Sequence, residues 1–530
     1  MNKRKLIILI ILIFSVISLI LLDFPALTSD EARVAYRGHT LVTNGKDELG
    51  RSLPLLFNSL TDYQLPAVSY ITVLGEVVFG KTNLGVRTPF FAVGLILVIL
   101  TFKISQFFNQ RKAFWIISAL VLIFSPALIF LSKVPNDSIV LALFIMLLFY
   151  LLIKDKLNII LIIFVIVLSL TISKFAWFVV TPFVICTLIF YQNNLSKKVR
   201  IGLSILSLLL TFVVVGSYLQ VPQSRRSLLE NNFSIFSSIM IKNGINKLRG
   251  EGIESGWPNY LEVILFNKTH FLNIGFMHWL SNLQPSIYFG QFDKTGQLGF
   301  SQTGALGKIL IIPFFWGIVY LVRKGKKRER FLLAYFIILT FPAIFIYPDF
   351  SHSLIVSTLP FAALIIAFGF MQFNRIISVL IILVMVLELG LNLLYLAPEK
   401  QNTGLLRPFW IKDITKDVYN QSLNYTTAIS DDVVSDILTY IEWYNPVDVR
   451  AAFLDIPYPY KFRKSNIRNI KIIGSDNELY SCKESNYEKV FISKRDRDRI
   501  KDSDIRMIRT YRDSLNQEVI YLLEKGLCIR

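Results

Sequence analysis

The chain has 530 residues, 53% of them hydrophobic and 14% aromatic, with a formal net charge of +19. So apolar a composition excludes a soluble globular protein. The basic residues cluster between the apolar runs, as topology determinants and anionic-lipid contacts do, and this excludes a nucleic-acid groove.

The first apolar run, residues 5–22, is long and lacks a small-residue cleavage site, so it reads as a retained helix rather than a signal peptide. A few residues beyond it come two adjacent carboxylates, Asp30 and Glu31. Acids there sit at the water–lipid boundary, where they stay ionised yet face a substrate anchored in the bilayer. The next apolar stretch, Leu65 to Gly80, is short for a span and carries Glu76. Ten further runs read as transmembrane helices: 88–108, 113–131, 137–153, 157–173, 175–192, 200–220, 304–322, 330–348, 353–372 and 376–396. With the first, they make eleven.

Basic clusters fall on alternate connections: Lys3 to Lys5, Arg111 and Lys112, Lys154 and Lys156, Lys197 to Arg200, Arg323 to Arg330, and Arg375. All share one side if the N-terminus is cytoplasmic, as positive-inside topology requires. Counting Leu65 to Gly80 as a span would put Arg323 to Arg330 outside, so that segment reads as an interfacial helix. The outer face then receives Asp30, the stretch Lys133 to Asp137, Lys174, and Tyr347 to His352, together with outer loops at 23–87 and 221–303. An odd span count also places residues 397–530 outside. Their runs YTTAIS, NIKIIG, KVFISK and EVIYLLEK read as strands, with a helix near 432–443. The fold class is therefore an all-α polytopic membrane protein, residues 1–396, with an extracytoplasmic α/β domain at 397–530. Cys186 lies in an apolar run, whereas Cys482 and Cys528 would form a disulfide in an oxidising outer compartment. No spacing of metal-ligating residues occurs.

Residues 23–91 contain, in order, DEA…A…G from Asp30 to Gly38, G.D..G…P from Gly45 to Pro54, Pro66 with Tyr70, and FG……R.P with Arg87 and Pro89. Later come SPALIFLSKVPNDSIVLALF with Asp137, LTISKFAWFVVTPFVI with Lys174, and FGQFDKTGQLGFSQTGALGKILIIPFFWGIVYLVRK. This ordered set resembles the GT-C glycosyltransferases, in particular the protein O-mannosyltransferases and the bacterial aminoarabinose transferases of lipid A, over residues 1–396. The chain departs from those groups in having Gln64-Leu65-Pro66 where they carry a KPP triplet, and in having no RY pair after His352.

The resemblance implies an inverting transferase of the cytoplasmic membrane. It would move a sugar from a polyprenyl-phosphate donor to a hydroxyl of a protein, lipid or glycan acceptor on the outer face. Asp30 matches the catalytic carboxylate and would be the general base, which an acceptor hydroxyl of high pKa requires. Glu31 and Asp137 would support it. The leaving lipid phosphate needs cationic stabilisation, for which Arg87, Lys174 and His352 are the candidates. No cofactor is implied; a divalent metal would need convergent carboxylates, with Asp30 and Asp137 the pair to consider.

Each residue also has a plain structural role to weigh. Asp30 and Asp137 suit helix N-termini, Arg87 and Lys174 suit headgroup anchors, and Asp47 and Asp293 suit turns. Trp257, Trp279 and Tyr288 suit an interfacial belt. The competing function is a transporter or flippase for a lipid-linked precursor, which would place polar groups near the bilayer midplane.

Overall fold

The computed structural model describes residues 3–19, 27–47, 50–58, 63–154, 158–192, 196–222, 225, 235, 238–256, 258, 260, 269–293, 303–346, 352–402, 411–430, 437–445, 470–473, 488–494, 505–512 and 518–525. The chain divides into two compact units. The first comprises residues 1–20, 55–68 and 88–394, and the second residues 21–54, 69–87 and 395–530. This grouping differs from the division expected at residue 396, because the first outer segment joins the C-terminal residues.

Each of the eleven expected spans contains a helix. In chain order, the helices up to the large outer loop are α1 (Lys3–Leu19), α2 (Ser29–Asn44), α3 (Ala67–Phe79), α4 (Asn83–Phe108), α5 (Lys112–Ile123), α6 (Pro126–Leu131), α7 (Asp137–Ile153), α8 (Ile159–Leu170), α9 (Ala176–Tyr191) and α10 (Lys197–Gln220). Beyond them come α11 (Ile239–Glu254), α12 (His270–Leu283), α13 (Pro285–Phe289), α14 (Ile311–Lys324), α15 (Lys327–Thr340), α16 (His352–Phe370) and α17 (Arg375–Asn402). Among the described residues, four helices are long and apolar enough to cross a membrane: α4, α10, α16 and the 375–393 part of α17. The span expected at 113–131 is broken in two. Pro126 removes a helical donor, and Ser125 caps the new helix by accepting from Leu128 N at 3.2 Å. α11 and α12, inside the segment 221–303 that was expected to be a loop, were not expected.

α16 is the centre of the first unit: it is apolar all round, fully buried, and packed by α5, α7, α14 and α15. Its approach to α14 is backbone to backbone. A Cβ on Gly317 would fall on the Ile365 carbonyl oxygen, and one on Gly369 on the Pro313 carbonyl oxygen, so only glycine permits the crossing. α10 and α17 are instead mostly exposed along apolar faces, as lipid-facing spans are. Within the basic stretch before α15, the Glu329 carboxylate accepts from Lys326 N at 2.7 Å and so starts that helix.

In the second unit a five-stranded mixed sheet is built from β3 (Thr427–Ser430), β4 (Ile470–Ile473), β5 (Lys489–Ser493), β6 (Ile505–Arg512) and β7 (Glu518–Lys525). Two short strands before α3, β1 (Phe57–Asn58) and β2 (Tyr63–Gln64), form a separate hairpin in the first unit. The order is β4-β3-β5-β7-β6; β3 is parallel to both neighbours, and β7 antiparallel to both of its own. Four of these strands are the expected ones. β6 was missed, because its arginines obscure the apolar alternation. α18 (Ile411–Gln421), also not expected, and α19 (Ile437–Tyr444) pack with the sheet. The core that results contains Leu27, Ala32, Ala35 and Tyr36 of the first outer segment beside Val418, Tyr440, Trp443, Phe491 and Leu522.

α3 has 13 residues and buries its polar and small side, Ser69, Thr72, Gly75 and Glu76, while Leu74, Val77 and Val78 are exposed. That inverted amphipathicity suits a helix lying in a membrane interface. Cys186 is a free thiol in α9, whereas Cys482 and Cys528 lie outside the described residues.

Candidate active site

Thr28 caps α2: its hydroxyl accepts from Glu31 N at 3.2 Å, and the helix ends at Gly45, in the left-handed region at φ 66. Asp30 and Glu31 therefore stand in the first turn, where the helix dipole favours negative charge. They have opposite environments. The Asp30 side chain is 72% exposed and lies 3.6 Å from the guanidinium of Arg33, a buried residue one turn on. Glu31 is buried. Arg87, in the first turn of α4, is fully buried, and Tyr444 of α19 lies within electrostatic reach of both Glu31 and Arg87. Burial pushes the Tyr444 phenol up to about 12; the Arg87 charge pulls it down and the Glu31 charge pushes it up. The second unit thus brings Asp30, Glu31 and Arg87 together and adds Tyr444, which was not among the expected site residues.

Two more residues of this unit were not expected. His39 Nδ1 of α2 lies 3.7 Å from Glu76 Oε2 of α3, and the Glu76 carboxyl oxygens have no hydrogen-bond partner among the described residues. Burial raises Glu76 to about 8 against the opposing charge of Lys81, and lowers His39 to about 4. At neutral pH both are uncharged. Gly38 faces this carboxyl so closely that a Cβ would stand 2.8 Å from Glu76 Oε1.

The first unit brings together the other three expected residues. Asn136 caps α7, accepting from Ile139 N at 3.0 Å, which places Asp137 at the first helical position. The Asp137 carboxylate accepts from Ser353 Oγ at 3.3 Å and from Ser138 Oγ at 3.4 Å, and Ser173 also bonds to it. Ser173 adjoins Lys174 and Ser353 adjoins His352, so the starts of α7 and α16 and the turn before α9 converge on one carboxylate. Lys174 is buried with its Nζ 5.4 Å from the centre of the Tyr218 ring. His352 Nε2 is 3.9 Å from Oδ1 of buried Asp293, and its ring meets Phe292 edge-on at 5.0 Å.

The remaining candidates have structural roles. Asp47 is fully buried and closes a turn, its Oδ1 accepting from Arg51 N and its Oδ2 from Arg51 Nε, each at 2.8 Å. Tyr288, expected in an interfacial belt, is instead buried, its hydroxyl 3.0 Å from Thr358 Oγ1, because α13 packs into the helical core. Trp279 donates to Thr340 Oγ1 at 3.2 Å, and Trp257 lies outside the described residues. Among the described residues no group of three or more His, Cys, Asp or Glu side chains could hold a metal ion.

No protein-family model matches the chain, and no curated protein matches it in sequence. Among solved structures the chain matches ArnT from Cupriavidus metallidurans bound to undecaprenyl phosphate, at 12% identity, a TM-score of 0.55 and coverage of 98% of each chain. The apo state of that protein superposes with a TM-score of 0.46 at 10% identity, again over 98% of each chain. The chain therefore shares the polytopic membrane-protein fold of ArnT over 98% of its length.

Proposed function

We propose that this protein is an inverting membrane glycosyltransferase that takes a sugar from a polyprenyl-phosphate donor and passes it to an acceptor hydroxyl on the outer face of the cytoplasmic membrane. The class is supported by the fold shared with a protein crystallised with undecaprenyl phosphate. The chemistry rests on one observation, the contrast between Asp30 and Glu31. Asp30 is exposed at the start of a helix whose other faces are buried, so it is both fixed and accessible. A base must come within hydrogen-bond reach of the proton it takes, and the exposure of Asp30 favours it for that role over buried Glu31.

In this scheme Asp30 takes the proton of the acceptor hydroxyl as its oxygen bonds to the anomeric carbon. The bond to the donor phosphate breaks on the opposite face, which inverts the centre. The phosphate leaves as an anion without protonation, so one carboxylate suffices, unlike the pair that glycoside hydrolysis requires. By the resemblance, Arg87, Lys174 and His352 would stabilise that anion. Glu31 would support Asp30, and Asp137 would orient the groups around Lys174.

Asp30→Asn preserves shape and removes the base. Turnover measured in membranes from a polyprenyl-phosphate sugar should fall by about 10²- to 10⁴-fold, the usual contribution of a general base. Near-normal turnover of a correctly inserted variant would remove Asp30 from the mechanism.

A further inference from the structure

We infer that the C-terminal domain is a clamp on the carboxylate-bearing first turn of α2, with Tyr440 and Tyr444 as its positioning residues. The clamp is read directly from contacts inside the second unit; its catalytic consequence rests on the assignment of Asp30 as base.

The contacts form a continuous chain. Tyr440 is fully buried and its hydroxyl donates to the carbonyl oxygen of Leu27, one residue before the Thr28 cap, at 3.0 Å. Leu27 is itself buried in the core of the C-terminal sheet. The Tyr444 ring stacks parallel on that of Tyr440, with centroids 6.5 Å apart, and its hydroxyl bonds to the Asn83 side chain. That bond sets the phenol against Arg87 and Glu31, the latter adjoining Asp30 in the chain. Trp443 Nε1 also points to Asn83 Oδ1, at 3.5 Å. Lys81 Nζ donates to the carbonyl oxygen of Asn445 at 3.0 Å, and Asn445 Nδ2 donates back to Thr415 of α18 at 3.2 Å. α19 is thus anchored to α18 on one side and holds the start of α2 on the other.

This matters because a helix end frays unless something holds it. The Asp30 side chain is exposed, and its ion pair with buried Arg33 is long, at 3.6 Å, so the pair restrains its position only weakly. Its placement is instead set by the backbone of the turn, and that turn is held by residues more than four hundred positions away in sequence. A group displaced by a fraction of an ångström loses much of its effect on rate. By this account the C-terminal domain is part of the catalytic apparatus, not only a surface for presenting acceptors.

The test uses the full-length protein in detergent or nanodiscs. Amide hydrogen exchange over residues 29–36 should accelerate roughly 5- to 10-fold in Tyr440→Phe and in Tyr444→Phe, the loss expected from one hydrogen bond. Strands β5 to β7 should exchange as in the wild type, which a general loss of folding would not give. Should either tyrosine variant fold poorly, Lys81→Met, which removes the bond to Asn445 and keeps the stem, should show the same local acceleration. In the transfer assay Tyr444→Phe should lower kcat by a similar factor with KM for the donor unchanged, and should cause no further loss in the Asp30→Asn background. Unaltered exchange at residues 29–36 in these variants would overturn the clamp. A full additional loss of kcat in the Asp30→Asn background would overturn the positioning role. If the wild type transfers no sugar from polyprenyl-phosphate donors, the assignment of Asp30 falls, while the exchange data still decide the clamp.

Discussion

Glu76→Gln should change how the stability of this protein depends on pH. Glu76 is 3% exposed, faces His39 and Gly38, and is held uncharged by burial, with its pKa raised from 4.5 to about 8. The folded protein therefore binds a proton that the unfolded chain has lost above pH 4.5, and stability falls as pH rises towards 8. His39 acts in the opposite sense. Its pKa is lowered from 6.5 to about 4, so the unfolded chain binds the extra proton and stability rises with pH across that interval. Between about pH 4.5 and 6.5 the two slopes offset each other. From pH 6.5 to 8 only Glu76 contributes, over about 1.5 pH units, which corresponds to roughly 2 kcal/mol or a 30-fold shift in the unfolding equilibrium. Denaturant unfolding in detergent at pH 6.5 and pH 8 measures this directly. Glutamine keeps the shape and cannot ionise, so the variant should be nearly flat over the interval. A Gln variant that loses as much stability as the wild type would show that the carboxyl at α3 is not the titrating group.

Two further outcomes follow from the packing, and a third from the sequence alone. Gly369→Ala must push α16 away from the Pro313 carbonyl and should cost about 1–3 kcal/mol, read as a lower thermal midpoint, whereas Gly390→Ala, which meets nothing within 4 Å, should be neutral or stabilising. Glu388, an acid within α17, accepts from Lys308 N at 2.7 Å and so caps the helical stretch leading into α14; Glu388→Ala should cost about 1 kcal/mol and Glu388→Gln much less, by the same measurement. Mass spectrometry of unreduced protein should find Cys482 bridged to Cys528, and free thiols at both would disprove the pairing.

What the sequence determined by itself is the membrane-spanning architecture. An apolar run of span length has few ways to satisfy its backbone other than as a helix, and each of the eleven runs picked out by composition does contain one. Helix starts were legible only nearly: Asp30 and Asp137 were expected to suit helix N-termini, yet the caps are Thr28 and Asn136, each accepting from a backbone amide three residues on. The acidic residues Asp30, Glu31 and Asp137 could be singled out because charge beside an apolar run is costly and so informative. Their environments were not legible. Asp30 and Glu31 are neighbours in sequence, yet one is exposed and the other buried, because a helix turns about 100° between them and α19 covers only one side. The pair of half-buried His39 and buried Glu76 joins two helices, and the clamp by Tyr440 and Tyr444 joins the segment around α2 to a domain at the far end of the chain. Such pairings depend on long-range packing, which leaves no periodic trace in the sequence, and only the tertiary structure could decide them.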